Sequence, residues 1–271
     1  MDASTGYDPA FLAVVLPLPS SAQPTRRLDY THFSVLLDPE RRLAAATAVN
    51  IDGSALVDLG RGDDWHLDDR VPAADQVGDE LYSRNDLDRG HLVRRRDPVW
   101  GDDAARANFD TFVFTNAAPQ AAGFNQSKEL WLGLEDYLLG HAQAYRRRLS
   151  VLTGPVFESD DPVYRGVRIP RRFWKVAAWA SGDGRLAATA YVLDQTAELD
   201  RIDVGLRAGD APPLGPFRTF QVPVADVAGL TGLDLDPLVA ADVLPAVAGA
   251  RPGTGWIPLE EAGDIRLPGV D

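Results

Sequence analysis

The chain has 271 residues, 45% of them hydrophobic and 25% charged, the balance of a folded globular protein long enough to bury a core without staples. It contains no cysteine, so disulfides and thiolate metal sites are excluded. The formal net charge of −13 counts against a broad basic surface for nucleic acid, and no apolar run approaches the length of a membrane span.

Residues 11–18 form an apolar stretch, but Asp2 and Asp8 precede it where a signal peptide would carry positive charge, and Pro17 and Pro19 interrupt it. It reads as an arm or strand packing on the domain. The expected location is therefore cytoplasmic, with export by another route still compatible. Residues 31–37 and 41–51 alternate as paired strands about a turn at Asp38-Pro39-Glu40, and Asp52-Gly53 marks a second turn. Residues 60–80 are polar and broken by Gly and Pro, a long surface loop of the kind that tends to be functional. The β-branched and aromatic run 111–115 predicts a buried strand that Ala117-Ala118-Pro119 ends.

From Ser127 to Arg148 the spacing of Leu130, Trp131, Leu134, Leu138 and Ala142 predicts a helix. Strands follow at 149–157, 173–180, 186–193 and 219–224, then short helices near 224–230 and 237–244 and a Pro/Gly-rich tail. These elements predict one α+β domain over residues 1–271, built on a central antiparallel sheet flanked by helices. Its core spans about 30–230, with an N-terminal arm at 1–29 and C-terminal helices and tail at 231–271. Basic residues cluster at Arg94-Arg95-Arg96, Arg146-Arg147-Arg148 and Arg171-Arg172 with Lys175. A local basic groove on an acidic body would be compatible with that pattern, although such runs are more often solvated faces.

The chemistry concentrates in ordered runs. Asp88-Arg89-Gly90-His91 puts an imidazole, able to take a proton near neutral pH, two residues after a guanidinium that can reach a phosphate oxygen. Thr115-Asn116-Ala117-Ala118-Pro119-Gln120 follows, then Asn125 nine residues after Asn116, then Trp131-Leu132-Gly133-Leu134-Glu135. Alone, each run also has a bland reading: a capped turn, a strand end, a helix start and a core face. The remaining histidines, His32, His66 and His141, have no metal-ligand spacing, and His32 reads as structural.

In order and together, these runs resemble the DNA/RNA non-specific endonuclease family, of which endonuclease G is a member. The shared features are D-R-G-H, the [ST]-N-x-x-P-Q run, the Asn nine residues on and W-x-x-L-E. Thr153-Gly154-Pro155 and Ile169-Pro170 with Phe173-Trp174-Lys175 extend the likeness from about Tyr30 to Leu230. The resemblance implies a ββα-metal fold and a Mg²⁺-dependent, sugar-non-specific endonuclease, with Mn²⁺ as the alternative ion. It implies His91 as general base, Arg89 on the phosphate, and Asn116 orienting His91 or the phosphate. It also implies Asn125 as the direct metal ligand and Glu135 acting through metal-bound water.

Two departures from the family pattern follow. Asn125 and Trp131 are six residues apart where the family often has four, which makes Glu129 a rival to Glu135. Leu139 occupies a position where the family often has an arginine, leaving Arg70, Arg84 and Arg94 as candidates for the phosphate clamp. The implied partners are DNA and RNA, with an inhibitor protein and a homodimer compatible and no membrane. The alternative is a catalytically impaired module of the same fold that binds nucleic acid or a protein.

Overall fold

A computed structural model describes residues 6–60, 62–121, 139–140, 142–203, 218–244, 253–260 and 262–267. Along the chain the strands begin with β1 (Ser20–Ser21), β2 (Arg26–Tyr30), β3 (Phe33–Asp38) and β4 (Leu43–Asp52). The Asp38 carboxylate accepts from the backbone N–H groups of Glu40 and Arg41, which explains why the chain reverses there. A long loop containing the short helix α1 (Asp79–Tyr82) leads to β5 (Leu87–His91). Helix α2 (Ala104–Asp110) and β6 (Ala117–Ala121) follow.

The second half supplies β7 (Arg148–Val156), the two-residue strands β8 (Val163–Tyr164) and β9 (Val167–Arg168), β10 (Arg172–Ala180) and β11 (Leu186–Asp194). Helix α3 (Thr196–Asp203), β12 (Arg218–Val222), α4 (Val224–Thr231), β13 (Leu233–Asp234), α5 (Asp236–Ala240) and β14 (Ile257–Leu259) complete it.

Eight strands form one antiparallel sheet in the order β14-β12-β11-β10-β7-β4-β3-β2. Its central strands are buried on both faces, so they read as continuous apolar runs rather than alternating ones. One face presents Phe33, Val35, Val151, Phe173 and Leu193, and on it lie Leu92, Val93, Ala118 and Ala121 of the β5–β6 region with Leu139 and Ala142. The other presents Leu152, Trp174, Val176 and Val192 and is covered by Phe11, Leu12 and Leu16 and by Val224, Val227 and Leu238. The apolar stretch at 11–18 is therefore an arm packed on the sheet. Among the described residues, no helix is long and apolar enough to cross a membrane.

The predicted strand at 111–115 is not one. Thr111 caps α2, and Phe114–Asn116 form a 3-10 turn. Two hydrogen bonds curl the segment: the Asn116 side chain donates to the Thr111 carbonyl, and its backbone N–H donates to Val113. The strand begins at Ala117, where the sequence suggested an ending. Of the predicted helix at 127–148, residues 127–138 lie outside the described residues; 139–140 and 142–144 are helical.

Candidate active site

Strands β5 and β6 pair antiparallel in a separate two-stranded ribbon, with His91 opposite Ala117, Gly90 opposite Ala118 and Asp88 opposite Gln120. Gly90 is required there by packing. A Cβ on it would lie 2.1 Å from Cδ of Gln120, whose buried side chain lies across the strand. Neither polar atom of the Gln120 amide has a hydrogen-bond partner among the described residues.

Arg89 and His91 stand two residues apart, so both project from one face of β5. The indole of Trp65 meets both of them. Its ring centroid is 4.7 Å from that of His91, and the Arg89 guanidinium lies 5.5 Å from it. Phe112 meets the imidazole edge-on at 5.1 Å, and the two aromatic rings restrict its orientation. Arg89 also pairs with Asp79 at 3.3 Å while remaining partly exposed.

The main chain beyond His91 is held by Asn116, which is fully buried. Its Oδ1 accepts from Val93 N–H at 2.8 Å, and its Nδ2 donates to the carbonyls of Val93 and Thr111, each at 3.0 Å. Leu92 N–H donates to the Asn116 carbonyl at 2.9 Å. Two other buried amides do similar work nearby. Gln76 bonds the backbone of Asp68 and Val71, and Gln195 bonds Ala121, Pro119 and Pro170 along the free edge of β6. Leaving such backbone groups unpaired would cost about 1–3 kcal/mol each.

A second network backs the turn before Asn116. Tyr30 donates to Asp68 Oδ2 at 2.5 Å and shares a hydrogen bond with Thr115 at 2.7 Å. Arg70 binds Asp68 through Nε and Nη2, donates from Nη1 to the Asp29 carbonyl, and lies over the Tyr30 ring. Burial pushes the Asp68 carboxyl up, but hydrogen bonds from Arg70 and Tyr30 outweigh it and hold the group down, at about 2. Burial and the same carboxylate push the Tyr30 hydroxyl above its ordinary range.

A sequence model of the DNA/RNA non-specific endonucleases matches residues 11–242, most of the chain. The chain belongs to that family. It is 41% identical over 297 aligned positions to the uncharacterized protein y4fB of Sinorhizobium fredii, covering 98% of this chain and 43% of that protein. The chain thus spans less than half the length of that relative. It is 28% identical to mitochondrial endonuclease G of Bos taurus over 242 positions, covering 83% of this chain and 72% of that protein. The fold is that of the EndoG chain in the EndoG/EndoGI complex, at a TM-score of 0.58 and 21% identity, covering 78% of this chain and 85% of that one. This is the ββα-metal nuclease fold.

Within this endonuclease fold, Arg89 and His91 come together as the sequence suggested, but several other candidates are placed differently. Asn116 bonds the main chain of Leu92 and Val93 next to His91, and both its amide hydrogens are already used, so none is left for a phosphate. The three donor nitrogens of Arg70 are committed to Asp68 and Asp29. Arg94 is 9% exposed, a buried side chain rather than a surface clamp. Arg84 is exposed at the turn into β5, has φ of +58°, and makes no ion pair among the described residues. Asn125, Glu129 and Glu135 lie outside the described residues. Leu139 points into the core at 4% exposure, so it offers no surface on which a phosphate-binding role could rest.

Several residues of the basic clusters are engaged within the protein. Arg148 pairs with Asp52, Arg171 with Asp200 and Arg172 with Glu158, while Lys175 is buried in β10. His32 is structural, as read from the sequence: it is buried, stacked on Trp100 and bonded to the Pro98 carbonyl. Trp65 and Phe112 were not singled out from the sequence. The available signal was a tryptophan inside a polar loop, which must find a surface to cover.

Proposed function

We propose that the chain is a metal-dependent nuclease that hydrolyses phosphodiester bonds in DNA and RNA without regard to sequence. The observation that carries this reading is the shared face of β5, where His91 is fixed between Trp65 and Phe112 beside the Arg89 guanidinium. In this reading the neutral His91 imidazole takes the proton of an attacking water. Arg89 donates to a non-bridging phosphate oxygen and balances charge as the phosphorus becomes five-coordinate. Asn116 is a positioning residue, keeping Leu92 and Val93, and through them His91, in place. In this reading Arg84, exposed at the turn into β5, is the candidate for an outer phosphate.

The metal assignment rests on donor chemistry. The chain has no cysteine, and no three His, Asp or Glu residues gather into a metal-binding group among the described residues. The proposed donors, Asn125 directly and Glu135 or Glu129 through water, offer only oxygen, which suits the hard ion Mg²⁺ and also Mn²⁺. Such an ion, when bound, supplies Lewis-acid stabilisation of the phosphate and leaving oxygen. Contacts restricted to phosphate and metal read no base, so low sequence preference follows. By analogy with the inhibited EndoG of the complex, a protein inhibitor is a further expected partner.

The test is incubation of the purified chain with supercoiled plasmid and with RNA, in Mg²⁺ and in EDTA. Cleavage of both substrates in Mg²⁺ and of neither in EDTA is expected. Retention of intact substrate in Mg²⁺ and Mn²⁺ would favour the impaired binding module instead.

A further inference from the structure

The segments that supply Trp65 and Phe112 also carry a second pair of rings. The next residue after Trp65 is His66, and one helical turn before Phe112, ~5 Å of axial rise, is Phe109. The His66 and Phe109 rings stack at 4.6 Å and 15° between planes. Phe109 is 50% exposed, one of few large apolar side chains that the fold leaves at the surface. The pair is rigidly mounted, because His66 N–H donates to the Phe112 carbonyl and its own carbonyl accepts from Phe114 N–H. His66 Nδ1 lies 2.9 Å from the Asp64 carbonyl oxygen, which fixes the imidazole plane as well. The His66–Phe109 pair is thus tied through the backbone to the two segments, at Trp65 and at Phe112, that supply the rings around His91.

We infer that the His66–Phe109 stack, exposed at Phe109, is a shelf for an unpaired nucleobase of a strand whose phosphate is presented to His91. The inference rests on the nuclease reading and adds a substrate class to it, single-stranded or locally unpaired nucleic acid. Two observations on this surface favour a base over a phosphate. The neighbouring Asp63 and Asp64 are exposed carboxylates, which repel the sugar-phosphate backbone and leave only the ring faces for contact. Arg95, the nearby guanidinium, has its Nη1 engaged on the Leu59 and Gly60 carbonyls and Asn108 Oδ1. A net charge of −13 disfavours long-range attraction of a polyanion, and stacking on an aromatic face is a sequence-tolerant source of affinity that does not need it. A base inside an intact duplex cannot present its face to such a shelf.

The experiment uses the full chain with a fluorescein-labelled single-stranded oligonucleotide and the duplex of the same sequence. Binding is read by anisotropy in EDTA and cleavage by kcat and KM in Mg²⁺. Phe109→Ala is expected to weaken single-strand binding about tenfold, the range of one lost base stack. It should raise KM on single strands with kcat retained and leave duplex cleavage unchanged, and Phe109→Trp should restore single-strand binding. Unchanged single-strand binding in Phe109→Ala, or an equal loss on both substrates, would overturn the shelf. So would a fall from dimer to monomer mass on sedimentation, which would make the patch a self-interface. If the wild type binds single strands in a Phe109-dependent way but cleaves neither substrate, the shelf stands and the nuclease reading falls.

Discussion

The eight-stranded sheet and the β5–β6 ribbon lie against each other but are held by different means. In the sheet, both faces are apolar and each strand is flanked by others, so order is spread over many interchangeable contacts. In the ribbon, position depends on particular hydrogen bonds: Asn116 on Val93 and Thr111, Gln76 on Asp68, Gln195 on Ala121 and Pro119. The contrast separates stability from geometry. Loss of a sheet side chain should lower the unfolding free energy without moving His91. Loss of one ribbon amide should move His91 for a smaller thermodynamic cost.

The largest expected stability effect belongs to the sheet. Trp174→Ala removes a fully buried ring on the face away from the ribbon and should cost about 3–5 kcal/mol in urea unfolding. Cleavage per folded molecule should stay at the wild-type level; a loss of activity beyond the unfolded fraction would break the contrast. Asn116→Ala removes three hydrogen bonds to Val93 and Thr111, and at about 1 kcal/mol net per bond about 3 kcal/mol is expected, with water entering the vacated space to pair the backbone. Here kcat should fall steeply even in the folded fraction. Gly90→Ala forces a Cβ into the Gln120 side chain and should fall toward the upper end of about 1–3 kcal/mol, again with loss of turnover.

The Asp68 network sharpens the comparison through pH. Its carboxyl is held at about 2 in the folded chain, well below the ordinary aspartate range, so it contributes about 2 kcal/mol at neutral pH. A depressed acid stabilises above its unfolded pKa and loses that contribution as pH falls from roughly 4 toward 2. Asp68→Asn should therefore be less stable than the wild type at pH 7 and converge on it near pH 2. A stability difference that stays constant across that window would show that the loss came from packing alone.

How much of this was legible in the sequence follows the same division. The strands at 149–157, 173–180 and 186–193 were readable because two-sided burial and antiparallel neighbours leave an apolar signature, and the structure places them at Arg148–Val156, Arg172–Ala180 and Leu186–Asp194. The run 111–115 misled because its Val and Phe residues satisfy strand propensity while the deciding contact, Asn116 to Thr111, is one side chain acting on the backbone. The Arg89 and His91 pairing was visible in four consecutive letters. Trp65 was hidden, since it reaches His91 across a loop that carries no periodicity. The commitment of Arg70 to Asp68 and the burial of Arg94 were equally hidden, because an arginine in a sequence does not declare which carboxylate it will meet or whether it will be covered.

The most direct measurement is plasmid cleavage in Mg²⁺ by His91→Ala beside the wild type, with thermal unfolding of both chains followed by circular dichroism. A loss of at least about a hundredfold in kcat with the melting transition retained is predicted, the scale of a missing general base. Cleavage within a few-fold of the wild type by a folded His91→Ala chain would contradict the account.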